Sequence, residues 1–187
     1  MRTLLLMMSL MMLTAGANAE VREDLVYVNY TAHAEPGGSI LSALNAASPI
    51  RQDGHVYHGH TSWNVKWNYR WHERANGSCS ITSVSLEVSG KITLPVLVGA
   101  TVAQAGQFDR YVSALRVHEL GHYGIAKDAA AAIETKIRAL PEMSSCRNFG
   151  SAANDAGSKI LDEYRAKEIR YDATTGHGKT QGAFLDG

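Results

Sequence analysis

Apolar and polar residues alternate strictly over residues 63–71 of TSWNVKWNYRWHE, residues 61–73, and this stretch constrains the fold more than any other. Successive side chains of a strand point to opposite faces, so the pattern predicts a β-strand with one covered face and one face in water. We expect the tryptophans to form the core side of a sheet, rather than a binding platform for sugar or peptide. The apolar face would carry Trp63, Val65, Trp67, Tyr69 and Trp71.

The periodicity changes near the middle of the chain. Residues 20–103 are rich in β-formers, with further strands predicted at 24–34 and 79–98 and a short helix at 39–48. From residue 104 onward the pattern is helical, with a long helix ending at Pro141, a second helix at 153–171 and a Gly-rich tail. Strands followed by helices predict an α+β fold, an antiparallel sheet of roughly three to five strands packed on two helices.

The N-terminus has the layout of a secretory signal peptide. Arg2 precedes an apolar run, Leu4 to Leu13, and Ala17-Asn18-Ala19 forms a small-x-small cleavage site. The apolar run is shorter than the roughly 20 residues needed to span a bilayer. We therefore predict cleavage after Ala19, a periplasmic or secreted protein without stable membrane insertion, and one domain over residues 20–187.

Charge and cysteine content narrow the class of protein further. The chain has 18 Lys and Arg against 18 Asp and Glu, a balance that argues against nucleic acid as a partner. Its two cysteines, Cys79 and Cys146, predict one disulfide in an exported protein, with two buried thiols as the alternative. We expect a monomer that acts on a peptide or protein substrate.

HELGH, residues 118–122, is the motif that carries chemistry. On a helix, His118 and His122 lie one turn apart on one side, so both imidazoles can bind one Zn²⁺ ion. Glu119 lies beside them, where a general base for a zinc-activated water belongs. This pattern predicts a compact zincin-like metallopeptidase; the alternative is two structural histidines on an amphipathic helix.

The third zinc ligand is not fixed by the motif. Asp128 has the spacing of one known arrangement, but an uninterrupted helix would turn its side chain away from the two histidines. His177 lies between Gly176 and Gly178, which allow unusual backbone angles and close approach to a metal. The second helix offers further acids, namely Asp155, Asp162, Glu163 and Glu168.

A second group of histidines occurs in HVYHGHT, residues 55–61. Its members, His55, His58 and His60, could bind copper or zinc. No methionine or cysteine accompanies them, and histidines near a turn are usually solvated. We therefore predict no metal site there.

Several stretches together resemble a family of bacterial exported proteins of unknown function, described as predicted secreted Zn-dependent proteases. They are VYVNYTAHA, YHGHTSWNVKWNYRW, CSITSVSLEVSGKITLP, HELGHYGIA and YDATTGHGKTQGAF, which span nearly all of residues 20–187. The resemblance implies a recurring tail signature, carried here by Tyr171, Asp172, Thr174, His177, Gly178, Gln181 and Gly182. It favours His177 as the third ligand, with Asp172 as a ligand or as a partner that orients a histidine.

These observations predict an exported zinc metallopeptidase in which His118, His122 and His177 bind Zn²⁺ and Glu119 is the catalytic base. A peptide would add as a strand along Lys91 to Val98. The alternative function is a non-catalytic envelope protein with a structural or vestigial zinc site, closed by the same histidines and Asp172. Hydrolysis of cell-wall peptides is a third hypothesis.

Overall fold

The computed structural model describes residues 21–185, so the predicted signal peptide, residues 1–19, lies outside the described residues. The fold is α+β, as predicted. The strands are β1 (Val21–His33), β2 (Ile50–Gln52), β3 (His55–Tyr57), β4 (His60–Glu73) and β5 (Cys79–Val98). The helices are α1 (Ile40–Ala47), α2 (Val102–Arg138) and α3 (Cys146–Thr175), followed by a 3₁₀ turn at Lys179–Gln181.

The main sheet has the strand order β1-β5-β4 and is mixed. β4 and β5 form the expected antiparallel pair, with Val65 opposite Val88. β1 instead runs parallel to β5, with Tyr27 opposite Ile92. Parallel neighbours need a long crossover, and here α1, the small β2–β3 hairpin and β4 all lie between the two strands in sequence. Local patterning cannot encode this pairing, so the expectation of a purely antiparallel sheet holds only for β4 and β5.

The apolar face of β4 packs on the helices, as predicted. Val65 is buried, and Trp63, Trp67 and Tyr69 pack against the same core cluster as α2 and α3. A Cβ at Gly157 of α3 would lie 2.6 Å from Trp67 Cζ2, so the glycine lets this helix approach the strand closely. Trp71, at the end of the face, is 43% exposed.

Helix α2 runs without interruption through the HELGH motif. Its start is fixed by a capping box, in which Thr101 accepts from the backbone of Gln104 and the Gln104 side chain reaches back. It ends at Arg138, shortly before Pro141. Because the helix continues, Asp128 does not fold back toward the two histidines of the motif.

Helix α3 begins earlier than its apolar pattern predicts, at Cys146, with Ser145 as N-cap. Cys146 forms the predicted disulfide with Cys79, and their Cα atoms lie 5.1 Å apart. The bond joins the start of α3 to the start of β5, and a structural disulfide of this kind is typical of oxidising compartments. Within residues 21–185, none of the helices is sufficiently long and apolar to cross a membrane.

The segment predicted as a substrate rim, Lys91 to Val98, lies in the central strand. Lys91 pairs with Val26 of β1 on one side and with Ser62 of β4 on the other. A backbone paired on both sides cannot accept an added strand, so the prediction is wrong for Lys91 to Thr93, whereas the rest of the segment pairs only with β1. The outer strands of the sheet are β1 and β4.

Candidate metal centre

Three side chains from α2 and α3 converge on one point. His118 Nε2 and His122 Nε2 lie 3.1 and 3.0 Å from Asp172 Oδ1, and the two nitrogens lie 3.3 Å from each other. These three residues form a group that could hold a metal ion. Both histidines are buried, whereas the Asp172 side chain is 30% exposed and opens the group toward solvent.

The shape of this group fits a zinc ion. Ligand atoms bound tetrahedrally at about 2.0–2.2 Å from zinc lie about 3.3–3.6 Å from one another, close to the edges of the triangle seen here. Two imidazoles and one carboxylate are also a ligand set that zinc accepts in sites that retain an open position. The residues present therefore fit the metal that HELGH predicts.

The second nitrogen of each histidine has its own partner. His118 Nδ1 lies 2.9 Å from Gln181 Oε1, and His122 Nδ1 lies 3.1 Å from Glu168 Oε1. When Nδ1–H donates to these oxygens, the lone pair of Nε2 is free. This is the tautomer of histidine that a metal needs. Glu168 Oε1 also accepts from the Trp63 indole at 2.8 Å, which ties β4 to the same centre.

His122 and Asp172 shift each other's pKa in opposite directions. Burial lowers the pKa of His122, but hydrogen bonds to Asp172 and Glu168 outweigh burial and raise it to about 9. Burial would raise the pKa of Asp172, but hydrogen bonds from His118 and His122 hold it far below its usual range. Without a metal, His122 carries a proton, and its positive charge pairs with the carboxylates of Asp172 and Glu168.

Glu119 is buried beside the two histidines, with 3% of its surface exposed. The Thr61 hydroxyl lies 2.7 Å from Glu119 Oε2 and 3.0 Å from the Glu119 carbonyl oxygen. Burial raises the pKa of Glu119, opposed by the hydrogen bond from Thr61 and by the charges of the neighbouring histidines. A carboxylate with a raised pKa is a better proton acceptor than one in water.

Tyr171 packs against both histidines and accounts for the presence of glycine at position 121 of HELGH. Its ring stacks on His118 at 5.0 Å with 9° between the planes, and meets the His122 ring edge-on at 5.0 Å. Its hydroxyl donates to the His118 carbonyl at 3.2 Å. A Cβ at Gly121 would collide with this hydroxyl, so α2 needs glycine there.

His177 lies beside the group without joining it. Its backbone is left-handed, with φ of 53°, between the similarly left-handed Gly176 and Gly178. Its Nδ1 is 3.5 Å from Asp172 Oδ1, half of its side chain is exposed, and its ring packs on Tyr57 at 4.8 Å. The third place in the metal group is thus taken by Asp172, while a ligand role for His177 stays a prediction.

The other candidates have separate partners. Asp128 pairs with Lys167 at 3.1 Å on the surface between α2 and α3. Asp162 pairs with Arg165, and Asp155 lies 3.4 Å from the Ser151 hydroxyl. Nothing in the contacts of Glu163 connects it with the histidines. Of the four acids predicted as candidates from the second helix, only Glu168 lies at the centre, where it contacts His122 rather than joining the metal group.

Sequence reasoning missed the supporting roles of Glu168, Tyr171 and Gln181. Glu168, Tyr171 and Asp172 are spaced i, i+3 and i+4, so they lie on one side of α3. This helical spacing is the signal that could have grouped them. Gln181 belongs to the tail signature but has no helical spacing to these residues, and it reaches His118 because the tail folds back after Gly176.

An open cleft adjoins the metal group along the outer strand β4. Its volume is about 240 Å³, and residues 60–65 of β4 form one wall. Leu161, Arg165 and Glu168 of α3 form the other. Glu168 lines the cleft and also contacts His122, so this side chain connects the cleft wall with the metal group.

Residues 27–178 match the profile of a family described as a bacterial protein of unknown function, DUF922. The chain belongs to this family. The DUF922 match includes HELGH, Asp172 and His177, and it ends before Gln181. The chain matches no curated protein and no solved structure. The DUF922 description states no activity, so any function must be argued from the site itself.

Proposed function

We propose that this protein is a zinc-dependent peptidase in which His118, His122 and Asp172 hold the metal. The observation that carries the proposal is the convergence of two Nε2 atoms and one carboxylate oxygen within 3.3 Å of one another. HELGH supplies the two histidines together with an adjacent carboxylate, which a purely structural metal site does not require.

Glu119 would act as general base and then as general acid. When bound, zinc supplies Lewis acidity, which activates both a peptide carbonyl group and water for attack. Glu119 would accept a proton during attack and deliver it to the departing amine. Its burial favours this role, since burial raises the pKa of the carboxylate and makes it a stronger proton acceptor.

The cleft beside β4 supports a peptide as substrate. β4 is an outer strand of the sheet, and its residues 60–65 border the cleft. An extended peptide could pair with this strand while its side chains contact Leu161 and Arg165 of α3. The cleft thus replaces Lys91 to Val98 as the proposed place for the substrate.

Glu119→Gln tests the mechanism. We expect hydrolysis of an unstructured, fluorescently labelled polypeptide to fall by about 1,000-fold, because general acid–base catalysis contributes on the order of 100- to 10,000-fold. Bound zinc, measured by elemental analysis, should stay at the wild-type level. The matched control is Glu163→Gln on α3, which should keep full activity. Wild-type hydrolysis by zinc-loaded Glu119→Gln protein would contradict the mechanism.

A non-catalytic metal site is the second candidate function, and one contact favours it. His177 Nδ1 lies 3.5 Å from Asp172 Oδ1, so a modest movement would make the imidazole a fourth ligand and close the site. Zinc titration of His177→Ala against the control His55→Ala separates the two functions. A loss of about 100-fold or more in affinity, with no hydrolysis by the wild type, would support the closed site. Unchanged affinity in an active protein supports the open one.

A further inference from the structure

The histidine-rich stretch that runs from β3 into β4 contributes no residue to the metal group, yet it contacts Glu119. We call residues 57–61, Tyr-His-Gly-His-Thr, the Glu119 clamp. The three histidines of the wider stretch diverge. His55 and His60 are exposed, whereas both ring nitrogens of His58 have partners within the protein. A metal role for His58 would require breaking one of those contacts.

Two residues of the clamp touch the Glu119 side chain directly. The Thr61 hydroxyl donates to Oε2 at 2.7 Å. On the other oxygen, a Cβ built at Gly59 would lie 2.5 Å from Glu119 Oε1 and 2.9 Å from Leu115 Cδ1. Only a glycine backbone therefore fits against this carboxylate in its present orientation.

His58 anchors the clamp at its centre. Its Nδ1 lies 2.7 Å from the Tyr111 hydroxyl, and its Nε2 lies 2.9 Å from Asn45 Oδ1. The Tyr30 hydroxyl donates to the His58 carbonyl at 3.1 Å. These partners come from α2, α1 and β1, so three elements of the fold hold the backbone next to Gly59.

We propose that His58, Gly59 and Thr61 are positioning residues that fix the Glu119 carboxylate for proton transfer. Thr61 holds one oxygen, Gly59 leaves room for the other, and His58 keeps the backbone between them in place. A displacement of about 1 Å in a catalytic group can cost on the order of 100-fold in rate. This inference rests on the proposed function, since positioning matters only if Glu119 transfers protons.

Gly59→Ala is the sharpest test, because it adds one methyl group against Glu119 Oε1. We expect kcat to fall by about 10- to 100-fold, with KM within about twofold of wild type. Zinc affinity should be unchanged, because none of the three metal-group residues is touched. The matched control is Gly124→Ala on α2, where an added Cβ meets nothing within 4 Å.

His58→Gln provides a second variant that places no new atom against Glu119. We expect a fall of about tenfold in kcat, with KM and zinc affinity unchanged, whereas the control His55→Gln should keep wild-type values. Wild-type kcat in both Gly59→Ala and His58→Gln would overturn the proposal. Loss of zinc binding in either variant would also overturn it, since the clamp would then support the fold or the metal group instead.

A readout independent of activity separates this inference from the proposed function. In protein labelled with ¹³C at glutamate carboxyl groups, the Glu119 signal can be assigned by its loss in Glu119→Gln. We expect this signal to shift in Gly59→Ala and not in Gly124→Ala. A shift in a protein without hydrolytic activity would contradict the peptidase and leave the clamp standing. Hydrolysis by the wild type without any shift would contradict the clamp alone.

Discussion

Helices α2 and α3 both supply residues to the metal centre, but only α2 reveals this in its sequence. In α2 the histidines are four residues apart, and both are buried with their Nε2 atoms facing one point. In α3 the contributing acids, Glu168 and Asp172, are also four residues apart, but their side chains are 25% and 30% exposed. Two buried histidines are rare on a helix, whereas half-exposed acids are common on its surface. The same four-residue spacing therefore indicates a metal site when the residues are histidines, but not when they are acids.

The contribution of α3 can be weighed against that of α2 by deleting one ligand from each. We expect His122→Ala and Asp172→Ala to weaken zinc binding equally, each by about 4 kcal/mol or on the order of 1,000-fold, since three ligands share a binding energy of roughly 10–16 kcal/mol. Competition with a chromophoric chelator measures this. Asp162→Ala is the control on α3. Unchanged affinity in Asp172→Ala would mean that α3 provides no ligand.

Competition between protons and zinc for His122 is the next largest effect. It involves both helices, because His122 lies on α2 and the acids that raise its pKa lie on α3. Acids of α3 raise the pKa of His122 to about 9, and zinc needs the neutral imidazole. Zinc affinity should therefore rise about tenfold per pH unit from about pH 7 to about pH 9 and then level off. The stability of the metal-free protein changes with pH in the opposite direction. Its stabilisation by protonated His122 is complete below about pH 6.5 and is lost as the pH rises through about 9.

This pH dependence should diminish when the acids are removed. Chelator competition at fixed pH steps, repeated with Asp172→Ala, checks the cause. In that variant His122 loses one of the two hydrogen bonds that raise its pKa, so the levelling-off should move to lower pH. The same steep rise up to pH 9 in wild type and variant would show that Asp172 does not hold this proton.

Glu168 should have a smaller effect than either ligand, because it acts by orienting His122. We expect Glu168→Gln to weaken zinc binding by about 10- to 100-fold, the range typical of residues that orient a ligand. Glu163→Gln, on the same helix, should change nothing in the same titration. A loss as large as that of His122→Ala would instead identify Glu168 as a ligand.

The disulfide should affect the site least, although it fixes α3 to the sheet. Replacing Cys79 and Cys146 by alanine should cost about 3–4 kcal/mol of unfolding free energy, measured by urea denaturation. Asp172 lies 26 residues beyond Cys146, about 39 Å along the helix. Zinc affinity of the folded variant should therefore stay within about twofold of wild type. A larger loss would mean that the far end of α3 sets the position of Asp172.

Features with local causes were predictable from sequence. The alternation of β4, the helix through HELGH and the α+β fold follow from period and propensity. The disulfide follows from two cysteines in a chain with a predicted export signal. Features that depend on distant contacts were not. The choice of Asp172 over the other acids of α3 depends on how that helix packs against α2, which no local pattern encodes.

Two glycines also have roles that cannot be predicted from local sequence. In the sequence, Gly121 is one of two uncharged residues inside HELGH, and Gly59 lies among the histidines of residues 55–61. The structure shows that Tyr171 and Glu119, respectively, occupy the space that a Cβ would need. Both neighbours are more than forty residues away in sequence, so the reason for each glycine exists only in the folded chain.

The mixed sheet also sets an order of events for the chain as it folds. β4 and β5 are adjacent in sequence and can pair through a short connection, whereas Val21 of β1 must find Leu86 of β5. Long-range pairing of this kind is slow, because the entropy of closing the loop is lost before the contacts form. Until β5 emerges from the ribosome or a translocation pore, β1 has no partner strand. We therefore expect the β4–β5 hairpin with α2 to form the folding nucleus, and β1 to join last.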